Sequence, residues 1–101
     1  MITEIDISEL KATLDGGARL VDVREEEELE GGTIPGFVHL PLSTFDEAEA
    51  ELRKLGPKIV LYCRSGKRSL RAAQMAEQWG IGPHLYSLKG GFLAYQELNG
   101  G

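Results

Sequence analysis

Apolar and polar positions alternate along this chain in two distinct rhythms. Residues 59–63, Ile-Val-Leu-Tyr-Cys, are continuously apolar and rich in branched side chains, the pattern of a strand buried on both faces of a parallel sheet. Residues 18–24 (Ala-Arg-Leu-Val-Asp-Val-Arg) predict a strand, residues 37–42 another that Pro41 ends, and residues 84–88 a further one. Between them the spacing becomes helical. Ser8-Glu9-Leu10-Lys11 opens a short helix through Leu14, with Leu10 and Leu14 on one face and Asp15-Gly16-Gly17 at its end. Residues 43–53 predict a polar helix capped by Ser43 or Thr44, with acids in its first turns, which Gly56-Pro57 breaks. Leu70, Ala73, Ala76 and Trp79 recur at helical spacing over residues 68–79, and residues 80–83 stop that helix. Gly90-Gly91 leads into a last helix through Leu98, while residues 25–30 read as a solvated helical turn closed by Gly31-Gly32, and Ile34-Pro35-Gly36 as a turn.

Strands that alternate with helices over short connections predict an α/β fold, a mainly parallel central sheet with helices on both faces. With no repeat or linker, residues 1–101 are expected to form one domain, with a core at about 5–98 and a frayed tail at 99–101. Ligands in such folds sit at the carboxyl ends of the strands. Cys63 is the carboxyl end of the predicted central strand.

Composition narrows the chemistry. Hydrophobic residues make up 42% and charged residues 27% of the chain, an ordinary globular balance. The amino end lacks a basic segment followed by an apolar stretch, and no run is long enough to span a bilayer, so the expectation is a cytoplasmic protein without a membrane partner. A formal charge of −5 argues against general nucleic-acid binding, which needs a basic face. The charge is unevenly spread, however: residues 64–71 (Arg-Ser-Gly-Lys-Arg-Ser-Leu-Arg) hold four of the eleven cations and no acid, whereas residues 25–30 hold five glutamates. One cysteine and two histidines make neither an internal disulfide nor a convincing zinc site, so no metal or cofactor is expected.

A cysteine closing an apolar strand is usually a small hydrophobe. The glycine-containing basic loop that follows Cys63 argues for chemistry instead. A turn between strand and helix aims successive backbone N–H groups at the space above the sulfur. Gly66 permits the tight curvature, and the charges of Arg64, Lys67 and Arg68 are expected to help the loop hold Cys63 as a thiolate below its free pKa of about 8.5.

An ordered set of motifs carries a family resemblance. Cys63-Arg64-Ser65-Gly66-Lys67-Arg68-Ser69 follows Ile59-Val60-Leu61-Tyr62; Leu20-Val21-Asp22-Val23-Arg24-Glu25 and Ile34-Pro35-Gly36 precede it, and Leu88-Lys89-Gly90-Gly91-Phe92 comes after. From about residue 5 to 98 the chain resembles single-domain rhodaneses, the thiosulfate sulfurtransferases. The resemblance implies a rhodanese-like three-layer α/β/α fold. It also implies a Cys63 thiolate that attacks the outer sulfur of thiosulfate or another sulfane-sulfur donor, releases sulfite, and passes the persulfide sulfur to cyanide or a thiol, including that of a small redox protein. Cys63 would be catalytic, Arg64, Ser65, Gly66, Lys67, Arg68 and Ser69 would bind substrate, and Asp22 and Arg24 would support the site.

Dual-specificity phosphatases of similar fold place five residues between cysteine and arginine. Here Arg68 is the fifth residue after Cys63 and position 69 is serine, a shorter loop that suits a sulfur atom rather than a phosphoryl group. Phosphatase or arsenate reductase activity is thus the weaker alternative, and a persulfide-relay module serving one partner protein the stronger. Thr33 stands where the family commonly has histidine, and Tyr95 where tryptophan is common, with helix packing its expected role. Asp22-x-Arg24 is expected as a partly exposed local ion pair, residues 25–30 as a solvated face, and His39 and His84 as structural or solvent-facing.

Overall fold

The computed structural model describes residues 1–99; the rest of the expected tail, Gly100 and Gly101, lies outside the described residues. Five strands, β1 (Ile2–Ile5), β2 (Arg19–Asp22), β3 (Phe37–His39), β4 (Lys58–Tyr62) and β5 (His84–Leu88), form one all-parallel sheet in the order β1-β5-β4-β2-β3. Four helices, α1 (Ile7–Asp15), α2 (Glu49–Lys54), α3 (Lys67–Gln78) and α4 (Gly91–Leu98), join 3₁₀ segments at Glu26–Gly31 and Leu42–Glu47 to complete the connections. Among the described residues no helix is long and apolar enough to cross a membrane.

Strand β4 explains the three layers. Its side chains alternate between faces, so Ile59, Leu61 and the following Cys63 pack with Phe45, Leu52, Ala72, Ala73 and Ala76, beneath α2 and α3. Val60 and Tyr62 pack on the opposite face with Leu10, Ile34, Leu88 and Phe92, beneath α1 and α4. Both faces are dry, which is why the strand reads as an unbroken apolar run. The small residues Ser69, Ala72, Ala73 and Ala76 are the buried ones on α3. Expected contacts Leu70 and Trp79 are only half-buried.

Two expectations need correction. Residues 2–5 form the edge strand β1, which the apolar pattern does not reveal because only Ile5 is buried there. Residues 43–53 are not one helix. Thr44 has non-helical angles (φ −120°, ψ 19°), and α2 begins only at Glu49. The physical reason is Phe45, which is fully buried and stacks on Trp79 at 5.8 Å, so the chain turns inward there instead of running as a surface helix. Neither Ser43 nor Thr44 caps a helix; the Ser43 hydroxyl donates to Glu25 Oε1 at 2.6 Å.

Candidate active site

The strand order places β2 beside β4, with β3 lying outside β2 and β5 on the other side of β4. The chain therefore changes direction across the sheet between β2 and β4, the crevice where parallel sheets bind ligands. Asp22 ends β2 opposite Tyr62 of β4, and Cys63 follows at once.

Cys63 is 1% exposed, and its sulfur lies under the turn that leads into α3. The Gly66 N–H donates to Sγ at 3.0 Å and the Ser69 N–H at 3.4 Å, while the Ser69 hydroxyl lies 3.7 Å from the sulfur. Burial alone would push the thiol up. The amides of Ser69 and Gly66, the Ser69 hydroxyl and the Ser65 amide together outweigh it, and the net direction is down, toward thiolate. Gly66 takes the left-handed conformation (φ 110°) that the turn requires, and a Cβ there would press on the Leu88 carbonyl at 3.3 Å.

Helix α4 frames the loop from below. The Phe92 N–H donates to the Cys63 carbonyl at 2.8 Å and the Leu93 N–H to the Arg64 carbonyl at 3.1 Å. The fit requires glycine at 91: φ is +53°, and a Cβ would fall 2.3 Å from the Cys63 carbonyl oxygen. The Gly90-Gly91 motif is therefore part of the loop's support.

The cations around Cys63 divide into two kinds. Arg64 and Lys67 are exposed. Arg68 is half-buried and already engaged: its Nη1 and Nη2 donate to Glu28 Oε1 and Oε2 at 2.6 and 2.8 Å. The hydrogen bond from Arg68, with further help from the Glu25 N–H, holds the Glu28 carboxyl down at about 2. Glu28 in turn raises Arg68, as does the nearby Cys63 sulfur. The run at 25–30 is thus not simply a solvated face, since Glu28 reaches across to the active-site helix and Glu25 binds Ser43.

Beneath this pair lies a second one. Asp22 and Arg24 are 0% and 2% exposed, so they are buried rather than partly exposed. The Arg24 guanidinium donates to both Asp22 oxygens at 2.9 to 3.1 Å, and to the Gly32 carbonyl at 2.8 Å. Its carbon sits 4.4 Å from the Phe92 ring centre and 5.5 Å from that of Tyr62, a cation held between aromatic faces. Burial acts to lower Arg24, but the Asp22 carboxylate more than offsets it and the net direction is up. His39 Nε2 lies 2.7 Å from the Arg24 carbonyl oxygen. His84 is exposed, and Tyr95 stacks on Phe92 at 5.9 Å. Thr33 is half-buried, and the adjacent Ile34 N–H donates to the Tyr62 hydroxyl at 3.1 Å.

A cleft of about 280 Å³ opens beside the loop, lined by Arg24, Glu28, Gly31, Arg64, Phe92, Leu93 and Gln96. A second of about 290 Å³ is lined by Lys67, Arg68 and Arg71. The structure thus gathers Cys63 and its loop at one point, with Asp22 and Arg24 under it. Sequence reasoning missed Glu28, hidden among identical neighbours, and Ser87, whose hydroxyl lies 2.8 Å from that of Ser69. A serine at an inward position of an apolar strand was the available signal.

Known proteins resemble this chain in sequence and in fold. The uncharacterized protein YqhL of Bacillus subtilis is 45% identical over 75 residues, which cover 74% of this chain and 58% of YqhL, less than two thirds of that protein's length. The thiosulfate:glutathione sulfurtransferase of Homo sapiens is 38% identical over 90 residues, covering 75% of this chain and 78% of the relative. Among solved structures, the human single-domain sulfurtransferase TSTD1 superposes with a TM-score of 0.74 at 33% identity, over 93% of this chain and 95% of the other. The family model described as Rhodanese-like domain matches residues 6–98, from the residue before α1 to the last residue of α4 and across every loop that frames Cys63, so the chain belongs to the rhodanese-like family.

Proposed function

We propose that the protein is a sulfurtransferase in which Cys63 takes a sulfane sulfur from thiosulfate and hands it to a thiol or to cyanide. The observation that carries this reading is the sulfur of Cys63 under donors from Gly66 and Ser69, drawn toward thiolate although buried. The thiolate bonds to the outer sulfur of thiosulfate. The S–S bond of the donor breaks with its electron pair on the departing sulfite, and the protein keeps a persulfide anion. An acceptor thiolate or cyanide then bonds to the terminal sulfur, and the pair from the broken bond returns to Cys63. Dividing the transfer in two lets donor and acceptor react in turn with one residue, and because each step joins two anions, fixed backbone donors that meet the charge without reorganising are what the loop contributes.

Burial supports a thin substrate end. A sulfur 1% exposed at the base of a loop is suited to a single terminal sulfur atom rather than a bulky phosphoryl group. The exposed Arg64 and Lys67 provide attraction for a doubly charged donor. The likeness to the human thiosulfate:glutathione sulfurtransferase supports thiosulfate as the donor and a small thiol as one acceptor.

Intact mass spectrometry before and after thiosulfate tests this, with Cys63→Ser alongside. The expected result is a gain of about one sulfur atom in the wild type alone, removed by cyanide. No adduct after full reduction would overturn thiosulfate as donor.

A further inference from the structure

Strand β5 carries a serine where packing alone would favour an apolar side chain. Ser87 pairs in register with Leu61, on the same strand face as Leu85, and is 1% exposed. A buried hydroxyl is costly unless bonded, and Ser87 Oγ has one partner, Ser69 Oγ at 2.8 Å. With no second acceptor for the Ser87 hydrogen among the described residues, Ser87 is assigned as the donor of that bond and Ser69 as the acceptor.

With Ser69 as acceptor from Ser87, its own hydrogen goes elsewhere. Two neighbours can receive it: the Gly66 carbonyl at 3.1 Å and the Cys63 sulfur at 3.7 Å. A hydroxyl that accepts one hydrogen bond becomes a better donor in the next, and an ionised acceptor attracts it more strongly than a neutral carbonyl. We propose that Ser87 is a positioning residue for the nucleophile: by donating to Ser69 it fixes the Ser69 hydroxyl and strengthens the hydrogen bond that Ser69 gives to the anionic sulfur of Cys63. The effect on Cys63 is exerted entirely through Ser69. The same hydrogen bond would serve the persulfide, so the inference rests on the sulfur-transfer reading only for its use, not for its geometry.

Charged groups near Cys63 and Ser87 include the Asp22–Arg24 pair after β2, Arg64 after β4, Lys67 and Arg68 in the first turn of α3 with Glu28 on Arg68, Lys89 after β5, and Glu4 of β1, the register partner of Ser87. None hydrogen-bonds to the Ser87 hydroxyl. Removing its hydroxyl therefore leaves the surrounding charges in place, and the Gly66 carbonyl remains the alternative acceptor for the Ser69 hydrogen.

The test is the rate of Cys63 alkylation by iodoacetamide against pH in five proteins: wild type, Ser87→Ala, Ser87→Thr, Ser69→Ala and the Ser69→Ala/Ser87→Ala double variant. Below the wild-type midpoint, Ser87→Ala should react about threefold more slowly, with the profile displaced to higher pH. Ser69→Ala should lose more, and adding Ser87→Ala to it should change nothing further. Ser87→Thr, which keeps the hydroxyl, should restore the profile. Thermal midpoints measured in parallel detect a variant that has merely loosened. A Ser87→Ala profile equal to wild type, or an equal loss in the Ser69→Ala background, would overturn the proposal. Persulfide formation is a separate readout: its failure with the pH profiles as expected would count against sulfur transfer alone.

Discussion

The Asp22–Arg24 and Glu28–Arg68 pairs share a fork-to-carboxylate geometry within one corner of the fold, yet water reaches only the second. Side chains of the first pair are 0% and 3% exposed, and those of the second 29% and 35%. The buried pair ties the end of β2 to the carbonyl of Gly32 and to the rings of Tyr62 and Phe92, so it holds the frame on which the loop rests. The half-exposed pair spans residues forty apart and involves Arg68 in the first turn of the active-site helix. One is locked into the frame, while the other leaves Arg68 partly open to solvent beside the Cys63 loop.

Breaking the buried pair should have the largest effect. Asp22→Asn leaves the Arg24 charge in a dry site, which costs about 3–5 kcal/mol; the urea midpoint should fall accordingly. A loss below about 1 kcal/mol would mean that the two pairs are equivalent. In the half-exposed pair, the same change at Glu28 should cost about 1 kcal/mol or less, because solvent already screens it.

Acid sharpens the contrast. Glu28 is depressed to about 2 in the folded protein, so its stabilisation is complete above the ordinary carboxyl value of 4.5 and disappears as pH falls toward 2. Glu28→Gln should remove that part of the acid transition, visible as a shallower fall in thermal midpoint below pH 4.5. An unchanged slope would show that the pair contributes nothing.

Catalytic effects should be smaller still. Glu28→Gln frees the Arg68 fork and should lower the Michaelis constant for thiosulfate about twofold, whereas Lys67→Ala should raise it by a similar factor and weaken its dependence on salt. Equal kinetics in both variants would place the attraction for thiosulfate in the loop backbone alone.

Much of this molecule was legible from its sequence because the central strand is buried on both sides and leaves no polar interruption from Ile59 to Cys63. Strands β4 and β5 and helices α3 and α4 followed from that rhythm and its glycine stops. Strand β1 escaped because edge residues Thr3 and Glu4 face water. The break at Thr44 escaped because it is caused by Phe45 seeking Trp79, thirty-four residues away, and not by a local proline or glycine. In the site, the loop donors could be anticipated from the strand-to-helix turn. The choice of Glu28 among five glutamates could not, since only tertiary geometry distinguishes it.

The carbonyl oxygens of Cys63 and Arg64 are held by N–H groups of Phe92 and Leu93, and β5 is inserted between β4 and β1. During synthesis Cys63 therefore emerges before the residues that complete its surroundings. A nascent chain that has not yet extended past residue 93 carries the Cys63 loop without that support. The loop around Cys63 is thus framed from the last helix of the chain, and the order of translation puts its completion at the end of folding.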